Sequence, residues 1–121
     1  MEEVISIGDF SKVHITVGEI LSAELVEGSE KLLKLKVSFG PEVRQVVSGI
    51  AKYFPDLVLL VGKKCAFVTN LQPRMIMGFE SQAMILATGG ELLESQEVGS
   101  APQYGPLYLF ESSAPLGSKA H

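Results

Sequence analysis

Few residues in this chain have the types and spacing that chemistry needs. Ser48 and Ser81 are candidate nucleophiles, but neither sits in a Gly-x-Ser-x-Gly elbow and no general base accompanies either. The histidines, His14 and His121, and the single cysteine, Cys65, offer no metal-ligand spacing, and one cysteine makes no internal disulfide. No catalytic residue, metal or cofactor is therefore expected. What remains is recognition. Lys34 and Lys36 alternate with Leu33, Leu35 and Val37, which puts two cations on one face of an extended segment. Lys31 precedes that segment, and Arg44 and Arg74 follow it. Cations so arranged contact phosphate oxygens, but solvated lysines on any amphipathic strand give the same pattern. Residue types alone leave both readings open.

Composition narrows the choice. At 121 residues there is room for one domain, and 46% hydrophobic residues supply a core. Ten Lys+Arg against fourteen Asp+Glu give a net charge of −4. That excludes a generic polycationic nucleic-acid binder, so any RNA contact must rest on a local patch. No apolar run reaches the ~18 residues of a membrane span. Met1-Glu2-Glu3 provides no basic region of a secretory signal. A reducing cytoplasm is the expected compartment.

The elements that must position the cations are short strands. A helical turn or a solvated loop comes first, with Asp9 placed to cap Phe10-Ser11-Lys12. Period-two alternation then predicts a strand from Val13 to about Leu25, with His14 on its exposed phase and Gly18 marking a bulge or bend. Turn residues at 26–30 lead to the amphipathic strand 33–39. Gly40-Pro41-Glu42 turns the chain into a third strand, 44–48. One helical turn at 49–54 is stopped by Pro55, and strands at 64–69 and 81–87 follow. Residues 89–106, with Glu91, Glu94 and Glu97, read as an irregular insertion before a short apolar strand at 107–110. Residues 111–121 read as a flexible tail. Short strands between turns, with little helix, predict an all-β barrel or sandwich. Phe39, Tyr53 and Phe54 are expected in the core, and Cys65 as a small buried hydrophobe.

Four blocks narrow this further. Asp9-Phe10-x-Lys12-Val13 runs into Val17-Gly18-x-Ile20, then come Glu27-Gly28-Ser29-Glu30-Lys31-Leu32-Leu33 and Val47-Ser48-Gly49-Ile50. The longest is Asn70-Leu71-Gln72-Pro73-Arg74-Met75-Ile76-Met77-Gly78-Phe79-Glu80-Ser81-Gln82-Ala83-Met84. In this order they resemble the tRNA-binding OB-fold module at the C-terminus of many bacterial methionyl-tRNA synthetases and in small free-standing relatives. The resemblance implies a five-stranded Greek-key OB-fold barrel with short helical turns and a C-terminal extension. It implies one RNA-binding domain over 1–110, with dimerisation through 98–110.

As site residues it implies Lys31, Lys34, Lys36, Arg44, Asn70, Arg74 and Ser81 around tRNA. Implied partners are tRNA, a second copy and the catalytic chain of a methionyl-tRNA synthetase, and no membrane. Asn70 is read either as a turn-capping residue or as a contact to ribose or base. The chain departs from the pattern at Met75, Ile76 and Met77, where relatives carry further basic residues, and at Ala83, where they carry glycine. An exposed Met-Ile-Met segment suits protein or peptide better than phosphate. The alternative is thus a dimerisation or chaperone-like module with weak or no RNA binding.

Overall fold

Strict alternation in the second strand sets the architecture. A computed structural model describes residues 2–93 and 103–121. Leu33, Leu35 and Val37 are fully buried in β2 (Leu33–Ser38), while Lys36 on the opposite phase is exposed. One face of this strand must be covered, and its neighbours β1 (Ile15–Leu25) and β3 (Val43–Ser48) curl around it. With β4 (Lys64–Val68) and β7 (Met84–Ile85) they form a five-stranded antiparallel sheet of order β3-β2-β1-β4-β7. That is the Greek-key order of an OB-fold. Ile20, Leu35, Val37, Phe39, Val46, Leu60, Phe67 and Ile85 fill its interior, with Tyr53 and Phe54 packed against them.

The strand expected over 81–87 is three pieces. Between β4 and β7 the chain leaves the sheet as a separate hairpin, β5 (Arg74–Ile76) and β6 (Phe79–Ser81). After β7, strand β8 (Ala87–Gly89) pairs with β11 (Leu107–Leu109). Arg74, expected in a loop, begins β5. The hairpin turn explains its own sequence: Met77 and Gly78 both have positive φ, 48° and 85°, as a two-residue turn that follows strand twist requires. Strands β9 (Leu92–Leu93) and β10 (Gln103–Tyr104) pair within the region expected to be irregular. Residues 98–102 of the expected dimer segment, with Glu94 and Glu97, lie outside the described residues.

Three local readings change. Ser6, not Asp9, caps the first helix, α1 (Ile7–Phe10). Asp9 returns the bond as the third residue of a capping box. The bulge in β1 falls between Ile20 and Ser22 rather than at Gly18. Gly18 serves a different need, close approach: a Cβ there would stand 2.6 Å from Val37 Cγ1 and 2.7 Å from the Phe39 ring. Finally, a second helical turn of the 3-10 type, Leu57–Leu60, follows Ala51–Tyr53 and buries Leu60.

Residues 111–121, for which composition predicts a flexible tail, run along two strand edges. Val17 N–H donates to Ser118 O, Gly117 N–H to Val17 O, and Ala120 N–H to Ile15 O. Ser112 N–H donates to Lys64 O, and Lys63 pairs with Glu111 at 3.1 Å. The tail thereby covers backbone that would otherwise present an open edge. It also covers Thr16 and Val17, and with Gly18 buried against Val37 and Phe39 three consecutive residues are buried where alternation predicts every other one. Cys65 lies beneath it, its thiol pushed up from 9.0 to about 11 by burial first and by Glu111 next, with Lys63 opposing.

Gly18→Ala tests the close approach. Overpacking Val37 and Phe39 is expected to lower stability by about 1–3 kcal/mol in denaturant unfolding. A melt indistinguishable from wild type would show that β1 shifts freely there.

Candidate nucleic-acid interface

Strand register decides which cations share a face. Lys34 lies opposite Glu24 on β1 and Val47 on β3, and Lys36 lies opposite Ser22 and Gln45. These residues form the outward face of β1–β3. Arg44 lies opposite Val37, a core residue, and so belongs to the other phase. The expected convergence of Arg44 with Lys34 and Lys36 on one strand face is therefore absent from the geometry.

Two loops flank the outward face. The turn 26–32 is tied by the Ser29 hydroxyl, which accepts from Lys31 N–H and Leu32 N–H at 3.2 Å each. It leaves the Lys31 side chain exposed. On the other side stands the β5–β6 hairpin, with Arg74 exposed at its base. Turn and hairpin tip approach each other, since a Cβ on Gly28 would lie 3.8 Å from Met77 Cε. Of the expected site cations, Lys36, Lys31 and Arg74 are thus the ones that the fold leaves open, and none makes an ion pair among the described residues.

The other expected site residues are engaged within the protein. Lys34 pairs with Glu24 at 3.0 Å, and its ammonium sits 4.4 Å from the Phe79 ring centroid. That contact explains what Phe79 does and sequence spacing missed. Asn70 is a clamp: its Oδ1 accepts from His14 N–H at 2.7 Å, and its amide donates to Lys12 O at 2.6 Å. The capping reading of Asn70 describes its geometry, although the backbone it caps is fifty-eight residues away rather than local. Ser81 is buried. Its Oγ accepts from Val47 N–H at 3.0 Å and lies 3.1 Å from Ala83 O, so the hydroxyl joins β6 to the edge of β3.

Electrostatically the face is mixed. Lys31, Lys34, Lys36 and Arg74 stand among Glu19, Glu24, Glu27, Glu30 and Glu80 on the same strands, turn and hairpin. Apolar side chains fill the remaining area: Met75 is 67% exposed and Met77 57%, with Leu71 and Met84 also open. A small cleft of about 90 Å³ lies between β3 and the hairpin, lined by Val47, Leu71, Arg74, Ile76 and Met84 among others. Among the described residues no group of His, Cys, Asp and Glu has the arrangement to hold a metal ion. The face can offer a few cations, donors and adaptable apolar contact. Nothing on it activates a nucleophile.

Residues 15–106 match the family described as "Putative tRNA binding domain". The methionine–tRNA ligase of Caldanaerobacter subterraneus subsp. tengcongensis is 55% identical over 89 residues, 74% of this chain and 14% of that one. The chain thus spans about a seventh of the length of the curated relatives it matches. Among solved structures, a MetRS-related protein from Pyrococcus horikoshii superposes with a TM-score of 0.79 at 34% identity, covering 99% of this chain and 100% of that one. The CsaA chaperone protein of Picrophilus torridus superposes with a TM-score of 0.75 at 26% identity, covering 98% and 100%.

Ser81→Ala separates support from contact. It leaves Val47 N–H buried without its acceptor and is expected to cost about 1–3 kcal/mol of stability. Ligand affinity should then fall only as far as the fold loosens, with an unchanged salt dependence. A lowered salt slope in this variant would instead make Ser81 part of the contact surface.

Proposed function

The chain belongs to the tRNA-binding domain family, and from that premise we propose that it is a non-catalytic module that grips tRNA across the outward face of β1–β3. The observation that carries the reading is the set of open cations Lys31, Lys36 and Arg74 on three separate elements around one strand face. In an OB-fold that face and its flanking loops are where oligonucleotides bind. Lys34 contributes less, being paired with Glu24. The ligand is structured RNA with exposed single-stranded bends, whose bases suit Met75, Met77 and Phe79 better than a duplex backbone would.

The module works either appended to a methionyl-tRNA synthetase catalytic chain or in trans, within the cytoplasm. A free buried thiol, Cys65, suits a reducing compartment. No helix among the described residues is long and apolar enough to cross a membrane. One domain over 1–110 accounts for the site. A second reading, an interaction module for exposed peptide, draws support from the charge balance and from the open Leu71, Met75, Met77 and Met84.

RNA titration between about 50 and 200 mM salt separates the two readings, because phosphate contacts make affinity salt-dependent and peptide contacts do not. Lys36→Glu and Arg74→Glu should each weaken tRNA binding and lower the salt slope by about one. Unchanged affinity in both variants sinks the face. Absence of binding by the wild type at low salt leaves the peptide reading.

A homodimer is the expected assembly. Val4, Ile5, Ile7, Leu92, Leu93 and Phe110 are exposed, and a second copy would take such apolar side chains out of water. Sedimentation at roughly 30 µM should give twice the chain mass; a monomer there would overturn the expectation.

A further inference from the structure

The β5–β6 hairpin shares no strand ladder with the main sheet, pairing only with itself. Its aim over the outward face must therefore be fixed by other bonds, and β3 supplies them. Gln82 N–H donates to Gln45 O at 2.8 Å, and Gln45 N–H donates to the Gln82 side chain at 3.0 Å. The Gln45 amide donates to Glu80 O at 3.0 Å. These bonds, with the one to Ser81, hold only the returning strand of the excursion. Arg44 alone among the described residues reaches both ends. Its Nη1 donates to Thr69 O, where the chain leaves the sheet, and to Gln82 O at 3.2 Å, where it returns. Glu42 fixes the same guanidinium at 2.7–2.9 Å, and the Phe39 ring lies 5.6 Å beneath it.

We infer that Arg44 is a positioning residue that staples the two ends of segment 70–81 and so orients Arg74 and the hairpin toward bound RNA, without itself touching phosphate. This rests on the RNA-binding reading for its consequence, though not for its geometry. The Arg44 side chain is three-quarters buried, its guanidinium donates to carbonyls and a carboxylate, and it projects from the phase opposite Lys34 and Lys36. A planar fork is needed to reach Glu42, Thr69 and Gln82 together, which a lysine ammonium cannot do. A loose hairpin would have to be ordered on binding, and that cost would come out of affinity.

The test compares Arg44→Lys with Arg44→Gln by tRNA titration at several salt concentrations. Amide hydrogen exchange across residues 70–82 of each unliganded protein is measured in parallel. Both variants are expected to weaken binding about five- to tenfold at a wild-type salt slope, and to speed exchange at Ile76 and Phe79. If Arg44→Lys binds as wild type while Arg44→Gln lowers the slope by about one, Arg44 is a phosphate contact and the inference falls. It falls equally if exchange across the hairpin is unchanged in both variants. Should Arg44→Gln fail to fold, Arg44→Lys alone decides by the same two readings. If wild type binds no RNA at any salt, the RNA-binding reading fails separately, and faster or unchanged exchange still supports or overturns the staple.

Discussion

The seam of the barrel is where the rest of the structure is decided. β3 and β7 are the two edges of the five-stranded sheet, and no ladder joins them. One backbone bond, Gln82 to Gln45, and the side chains of Arg44, Gln45, Ser81 and Gln82 close the gap instead. Side-chain closure has two consequences. It satisfies β3 backbone groups that would otherwise be an exposed edge. It also frees residues 74–81 from the sheet, so that they can stand out as a hairpin. A barrel closed there by a ladder would hold these residues in its wall, and Arg74 would have no elevated platform.

Much of this was legible in the sequence, and the reasons differ by residue. β2 was readable because period-two alternation at 33–39 has one solution once one face is buried; a one-residue slip would have buried Lys34 and Lys36. Arg44 was misplaced because its face depends on how many residues the 39–42 turn consumes. Phe39 N–H bonds to Glu42 O, which fixes Val37 opposite Arg44, and composition does not carry that count. Burial of Thr16 beside Val17 was hidden for another reason. It comes from Ser118 and Lys119, a hundred residues away, in a tail whose Ser, Ala and Pro content resembles that of a frayed end. Asn70 reads in sequence either as a turn cap or as a contact to ribose or base, and that it binds Lys12 O and His14 N–H is tertiary information. Local chemistry was readable. Distances along the chain were not.

The net charge of −4 and a nucleic-acid reading are compatible for a structural reason. Glu24 is committed to Lys34 and Glu42 to Arg44, the two cations most engaged with the protein. Such partly exposed pairs are worth little as stability, about 0–1 kcal/mol each, but they quiet charges that geometry has already assigned to support. Lys31, Lys36 and Arg74 are left without ion-pair partners among the described residues. Overall charge then bears on solubility, and the three open cations on the proposed site.

A face with three open cations can offer only a few phosphate contacts, and among the relatives such a domain can be part of a longer chain. There a domain of this kind is 14% of a methionine–tRNA ligase, tethered to the remainder of the protein. Once a tethered partner holds a common ligand, the second contact forms at an effective concentration of order millimolar. Under that condition modest intrinsic affinity suffices, and tight binding would only slow release. Apolar, pliable side chains such as Met75 and Met77 then serve better than further cations. They add contact area without steepening the salt dependence, and they adapt to the shape of whatever the hairpin is aimed at. Met75 and Met77 thus give the hairpin apolar shape where further cations would have given charge.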